Sequence, residues 1–237
     1  MHAHTNCIGV LGGMGPAATV DFMSKLVSLT PASCDQDHLP VVVANLPRIP
    51  DRSAAILGCG PTPLPVLRQS IQLLNEAGAG VIAIPCNSSH HWYAELCEVS
   101  LAPIIHIAQA CVRRLPAGTR ETLVLATRGT LASGFYQREL DGRGFRWSVP
   151  DSTTEQPLVD DCIRQIKCGD RAAGSASLQA LFDRARERGI DTAILGCTEL
   201  PLAATGTESA GLLLIDSTLE LARSVVDFGL RCGWNHG

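Results

Sequence analysis

The sequence predicts an α/β protein of two pseudo-symmetric lobes, each a parallel sheet flanked by helices, with an active site in the cleft between them. Three observations carry that prediction. Short apolar runs alternate with stretches of helical periodicity. The apolar runs are continuous, as in strands covered on both faces. The pattern also returns after about half the chain. Ile8-Gly9-Val10-Leu11-Gly12-Gly13 resembles Leu123-Val124-Leu125-Ala126-Thr127-Arg128, and two cysteine motifs share nearly that offset. A single doubly wound sheet with generic patterning is the competing arrangement.

The elements follow in order. Ile8–Leu11 reads as a strand ending in glycines. Ala17–Leu29 has helical spacing, with Val20, Met23, Leu26 and Val27 predicted on its apolar face. Val41–Leu46 is strand-like. Pro63–Ala77 is helical through Leu67, Ile71 and Leu74, and Gly78 stops it. Val81–Ile84 is a strand, with a helix from there to about Val99. Ile104-Ile105 is a short strand and His106–Leu115 a helix. The second half gives strand Thr122–Ala126 and helices Leu131–Leu140, Glu155–Cys168 and Ala176–Arg188. Strands Thr192–Leu195 and Leu212–Ile215 and helix Thr218–Leu230 close the chain. The first lobe is expected over 1–105 and the second over 106–217. The last helix, about 218–230, is expected to pack back on the first.

Composition narrows the function. The chain has 237 residues, 46% hydrophobic and 18% charged, which supports a substantial core. Net charge is −4 with no basic block, which argues against nucleic acid or an anionic membrane as partner. Met1-His2-Ala3-His4-Thr5-Asn6 lacks the features of a signal peptide, and no apolar run is long enough to span a bilayer. His2 and His4 read as disordered terminus. Ten cysteines spread through such a chain without Cys-x-x-Cys suggest reduced, cytoplasmic thiols. Cys162 and Cys168 are too irregularly placed for structural zinc, and no metal is expected. Cys7, Cys59, Cys97, Cys111 and Cys232 read as small fillers.

Two cysteines stand apart. Pro85-Cys86-Asn87-Ser88-Ser89-His90 follows the apolar run Val81–Ile84, and Gly196-Cys197-Thr198-Glu199 follows Ala193-Ile194-Leu195. Each thiol sits where a strand should end and a helix begin. A helix N-terminus lowers a thiol pKa and offers N–H groups to anions. One thiolate could take the α-proton of an amino acid while the other thiol returns a proton to the opposite face. A general base must reach its proton within hydrogen-bond distance, so one thiol serves two faces poorly. Asn87, Ser88, Ser89 and Thr198 would add donors for the carboxylate and the charge that builds on it. A pyridoxal mechanism needs a Schiff-base lysine. The only lysines are Lys25, on a polar helix face, and Lys167, at a helix end, so no cofactor is expected. Arg52 lies in the proline-rich Leu46-Pro47-Arg48-Ile49-Pro50-Asp51-Arg52, and its planar fork suits a carboxylate. A solvated arginine paired with Asp51 is the plainer alternative. His90 either orients Cys86 or makes a local hydrogen bond. Gly13-Met14-Gly15-Pro16-Ala17-Ala18 fits a loose dinucleotide-loop pattern, but no acidic residue follows a second strand at the usual spacing.

Gly12-Gly13-Met14-Gly15-Pro16, Ile49-Pro50-Asp51-Arg52 and the two cysteine motifs together resemble the signature blocks of the aspartate/glutamate racemase superfamily, most closely its aspartate branch. The resemblance runs from about Ile8 to Val226. It implies a cofactor-independent racemase of an acidic amino acid, aspartate foremost, with Cys86 and Cys197 as the acid–base pair. It further implies that Gly13 and Met14 line the pocket and that Arg52 meets the substrate's side-chain carboxylate. Asn87 and Ser88 flank the first cysteine and Thr198 follows the second. Lys167 lies near the substrate and Thr127 on a loop at the cleft. The family usually has Thr-Ala where this chain has Ser88-Ser89, so pocket shape is affected while a hydroxyl is kept. Glutamate racemases carry histidine where Glu199 stands, which points away from that branch and adds Glu199 to the expected substrate pocket. Family members are often dimers, and a homodimer is expected. A maleate isomerase or arylmalonate decarboxylase of the same superfamily, or a non-catalytic amino-acid-binding protein, are the alternatives. The decarboxylase pattern has one cysteine, and the Ile-Pro-Asp-Arg block favours the racemase over the maleate isomerase.

Overall fold

The computed structural model describes residues 6–205, 207–209 and 211–235. Expectations for residues 1–5, His2 and His4 included, lie outside the described residues. Contacts divide the chain into two units: residues up to Ala110 together with those from Thr218 onward, and Cys111–Ser217. Each has its own parallel sheet, one three-stranded and one four-stranded, so the single doubly wound sheet is not the arrangement.

The first unit carries strands β1 (Cys7–Gly12), β2 (Val41–Asn45) and β3 (Ala79–Ala83) in the order β2-β1-β3. Its helices are α1 (Pro16–Leu29), α2 (Arg52–Ile56), α3 (Leu64–Glu76) and α4 (Tyr93–Cys97). Helix α5 (Ile107–Val112) contains the boundary. The two-residue period of β1 divides the core. Ile8 and Val10 pack with Phe22 and Leu26 of α1, while Leu11 packs with Leu67, Ile71 and Leu74 of α3. Gly9 leaves room for the neighbouring strand, since a Cβ there would stand 2.8 Å from that of Ala79.

The second unit contains β4 (Thr122–Ala126), α6 (Arg128–Ser133), α7 (Phe135–Gly142), β5 (Trp147–Ser148) and α8 (Gln156–Lys167). It continues through α9 (Arg171–Glu187), β6 (Thr192–Gly196), α10 (Glu199–Ala204) and β7 (Leu213–Asp216), with strand order β5-β4-β6-β7. Leu123 and Leu125 of β4 share a core with Val159, Cys162, Leu178, Phe182, Ala193 and Leu195. The final helix α11 (Ser217–Arg231) places Leu221, Ala222, Val225 and Val226 against β1 and α1 of the first unit. Lys25 adds hydrogen bonding to Thr218 and a 2.6 Å ion pair with Asp21.

Several elements differ from expectation. The buried face of α1 is Ala18, Thr19, Phe22 and Leu26, while Val20 and Val27 are exposed. Phe22 offers the largest apolar area on that helix, and its burial sets the rotation. The helix expected over Leu131–Leu140 breaks into α6 and α7 at Gly134, which adopts φ 68°. Ile104-Ile105 forms only an isolated bridge to Ile82. Strand β2 is an edge with an exposed side, unlike the doubly covered strands expected. Among the described residues, no helix is long and apolar enough to cross a membrane.

Candidate active site

Cys86 follows the carboxyl end of β3 and is almost wholly buried. Its N–H donates to the Ile84 carbonyl at 2.7 Å, and its own carbonyl accepts from Ser89 N–H at 3.2 Å. The chain then turns as a 3₁₀ helix over Asn87–Trp92 before α4 begins. This corrects the expected α-helix running directly from the cysteine. Asn and Ser side chains compete for nearby backbone groups, which favours such tight turns over an α-helix interior. Asn87, Ser88 and Ser89 are all buried. His90 is buried too, and its Nε2 lies 3.1 Å from the Ile84 carbonyl oxygen. Burial, then the neighbouring His106, hold its pKa well below the usual histidine value. A neutral ring in a local hydrogen bond is the plainer of its two readings.

The loop after β1 is fastened to this segment. Gly13 N–H donates to Thr19 Oγ1 at 2.9 Å, and that hydroxyl donates to the Gly15 carbonyl at 3.1 Å. Ser89 Oγ donates to the Met14 sulfur at 3.1 Å, so its hydroxyl supports Met14. Gly13 has φ 91°, and a Cβ there would overlap the Leu46 backbone. Gly13→Ala is therefore expected to cost at least about 2 kcal/mol of stability, combining left-handed strain with overpacking. Urea denaturation of the two proteins measures it.

Arg52 opens α2. Asp51 caps that helix, accepting from Ala54 N–H at 2.7 Å, so it is not the partner of Arg52. The arginine's NH1 group instead donates to the carbonyls of Ile49 at 3.1 Å and Pro50 at 2.9 Å. Its Nε is buried without a hydrogen-bond partner among the described residues.

In the second unit Cys197 follows β6 directly and is also almost wholly buried. Its Sγ donates to Glu199 Oε2 at 2.9 Å, and Thr198 Oγ1 donates to the same oxygen at 3.0 Å. Lys167 Nζ stands 3.8 Å from Glu199 Oε1. Burial, then the Glu199 charge, push the Cys197 thiol well above its ordinary value, with Lys167 acting weakly the other way. This overturns the expectation that a helix N-terminus lowers the pKa here. Helix α10 is only six residues long, and burial of the thiol, followed by the carboxylate beside it, outweighs so short a dipole. Glu199 and Lys167, read as substrate contacts, engage the cysteine and each other. Thr127 caps α6, its Oγ1 accepting from Thr130 N–H at 3.2 Å.

Tyr136 is a residue the sequence did not flag. It is wholly buried, with its hydroxyl 3.6 Å from Cys111 Sγ. Its ring also limits Gly196, where a Cβ would approach it to 3.3 Å and the Leu125 carbonyl oxygen to 3.1 Å. Nothing in Phe135-Tyr136 distinguishes it from an ordinary buried helix residue. All ten cysteines are thiols; Cys34, Cys59, Cys97, Cys168 and Cys232 are exposed.

Two parallel α/β units, each ending a strand close to a buried cysteine, define a class of protein, the pyridoxal-independent amino-acid racemases. The chain belongs to the Asp/Glu/Hydantoin racemase family, whose model matches residues 11–225. It is 28% identical over 224 residues to the broad specificity amino-acid racemase RacX of Bacillus subtilis, covering 92% of this chain and 96% of that one. A solved aspartate racemase of Picrophilus torridus superposes with a TM-score of 0.84 at 30% identity, covering 94% of each chain. A glutamate racemase of Beutenbergia cavernae is 27% identical over 208 residues, covering 79% of this chain and 69% of that one.

Proposed function

We propose that this racemase acts on an acidic amino acid, aspartate foremost, and that Cys86 and Cys197 exchange the α-proton between opposite faces of the substrate. The carrying observation is the repeated placement of the thiols. Each is buried and lies at or just past the carboxyl end of a parallel strand, where open α/β sheets bind ligands. Asn87 and Ser88 border Cys86 and supply polar groups for the substrate carboxylate. Resemblance to the Picrophilus torridus aspartate racemase supports aspartate, as does Glu199 at the position of the glutamate racemases' histidine. The Bacillus subtilis relative, named for broad specificity, supports a wider range as the second reading. Ten unbridged thiols fit a reducing, cytoplasmic setting.

Incubation with a panel of L-amino acids in D₂O separates these readings. Aspartate should acquire α-deuterium and yield the D-enantiomer faster than alanine, serine or glutamate. Equal rates on neutral and acidic residues would establish the broad reading. Amino-acid binding without exchange would leave a binding protein, and turnover of maleate alone would indicate the isomerase.

A further inference from the structure

The surroundings of Cys197 assign a role to a residue expected to touch substrate. Glu199 is nearly buried, with its carboxylate turned back onto the sulfur two positions before it. Oε2 accepts from both Cys197 Sγ, at 2.9 Å, and Thr198 Oγ1, at 3.0 Å. Oε1 faces the half-exposed Lys167 from α8. An ionised carboxylate can only accept in that contact, which places the hydrogen on sulfur. Removing it would leave two anions in contact away from water, which is strongly unfavourable.

We propose that Glu199 is a positioning residue that keeps the proton on Cys197, making Cys197 the acid of the resting enzyme and leaving Cys86 as the base. This rests on the reading of the two cysteines as the acid–base pair. Among the described residues, the charged groups that bear on Cys197 are Glu199 and, from α8, Lys167, while Cys162 from α8 responds to Glu199 and Tyr136 from α7 responds to Cys197. Burial and the Glu199 charge push Cys162 up to about 12. Tyr136 lies well above its ordinary value, through burial and then Cys111. Both therefore stay neutral near neutral pH, and the local charges are those of Glu199 and Lys167. Thr198 completes the acceptor's shell, so the carboxylate cannot easily rotate away from the thiol.

The direct test is the pH dependence of Cys197 alkylation, followed by peptide mass analysis with iodoacetamide, because only the thiolate reacts. Glu199→Gln keeps an acceptor oxygen and similar shape but removes the charge. Its alkylation midpoint should fall by about one to three pH units relative to wild type. Glu199→Asp should hold it higher than Glu199→Gln. Lys167→Met, at a half-exposed side chain, should move the midpoint the other way. The alkaline limb of kcat should follow the same order. An unchanged midpoint in Glu199→Gln would overturn the assignment, as would an unmoved alkaline limb accompanied only by a raised KM, the signature of a substrate contact. If the midpoint shifts but Cys197→Ser racemises normally, the effect of Glu199 on the thiol stands and the two-thiol reading falls.

Discussion

Cys86→Ser and Cys197→Ser should each lower racemisation by about 10²–10⁴-fold, the usual loss when a positioned acid or base is removed. A serine hydroxyl is close in size to the thiol but far less acidic, so it neither takes the α-proton readily nor returns one quickly. Both sites are small and buried, and the substitution opens little space. At position 197 a hydroxyl could still donate to Glu199, which favours an intact fold. Circular dichroism and thermal melts provide that control. Initial rates from both aspartate enantiomers give the main measurement, and α-deuterium exchange adds a second. Cys197→Ser, which retains Cys86 as the base, should still exchange the proton of a single enantiomer, which assigns Cys86 to a face. Near wild-type racemisation in either variant would remove that cysteine from the mechanism.

The strands were legible because burial on both faces leaves a continuous apolar run. Ile8–Leu11, Thr122–Ala126 and Thr192–Leu195 all appear close to where the sequence placed them. Helix orientation was less legible. Val20 and Val27 satisfy helical spacing as well as Phe22 and Leu26 do, and packing against β1 decides between them. Helix α9 begins at Arg171, before the Ala176 start expected, and takes in Gly174. In the fold it is a contact, since a Cβ there would meet the Ile166 side chain at 2.8 Å. The strand-end placement of Cys86 and Cys197 was legible because an apolar run precedes each. The hydrogen bond from Cys197 to Glu199 was not. Residues two apart do not share a face of a regular helix, and this pair meets because α10 starts at Glu199 and leaves Cys197 outside it. Tyr136 was hidden for another reason: it belongs to a different element, and only tertiary packing brings it beneath β6.

Arg52→Ala should reduce aspartate turnover by roughly thirtyfold to a few thousandfold, the equivalent of about 2–5 kcal/mol for breaking a desolvated charge pair. Aspartate brings two carboxylates to the enzyme. The polar groups beside Cys86 can serve the one on the α-carbon, and the side-chain carboxylate needs a cation of its own. Lys167 lies against Glu199, which leaves Arg52 as the candidate in the first unit. Its NH1 group already holds the carbonyls of Ile49 and Pro50, while its buried Nε lacks a partner among the described residues. The guanidinium can therefore brace its loop and offer a further donor to an anion. Lysine cannot do both, because its ammonium is a point charge on a flexible stem, so Arg52→Lys should recover only part of the activity. The discriminating measurement is kcat/KM for aspartate beside that for alanine or serine in the same variants. If Arg52 recognises the side-chain carboxylate, the aspartate value falls far more than any residual activity on neutral residues. If the two fall together, the contacts to Ile49 and Pro50 account for the loss, Arg52 is a loop brace, and acidic specificity must come from elsewhere.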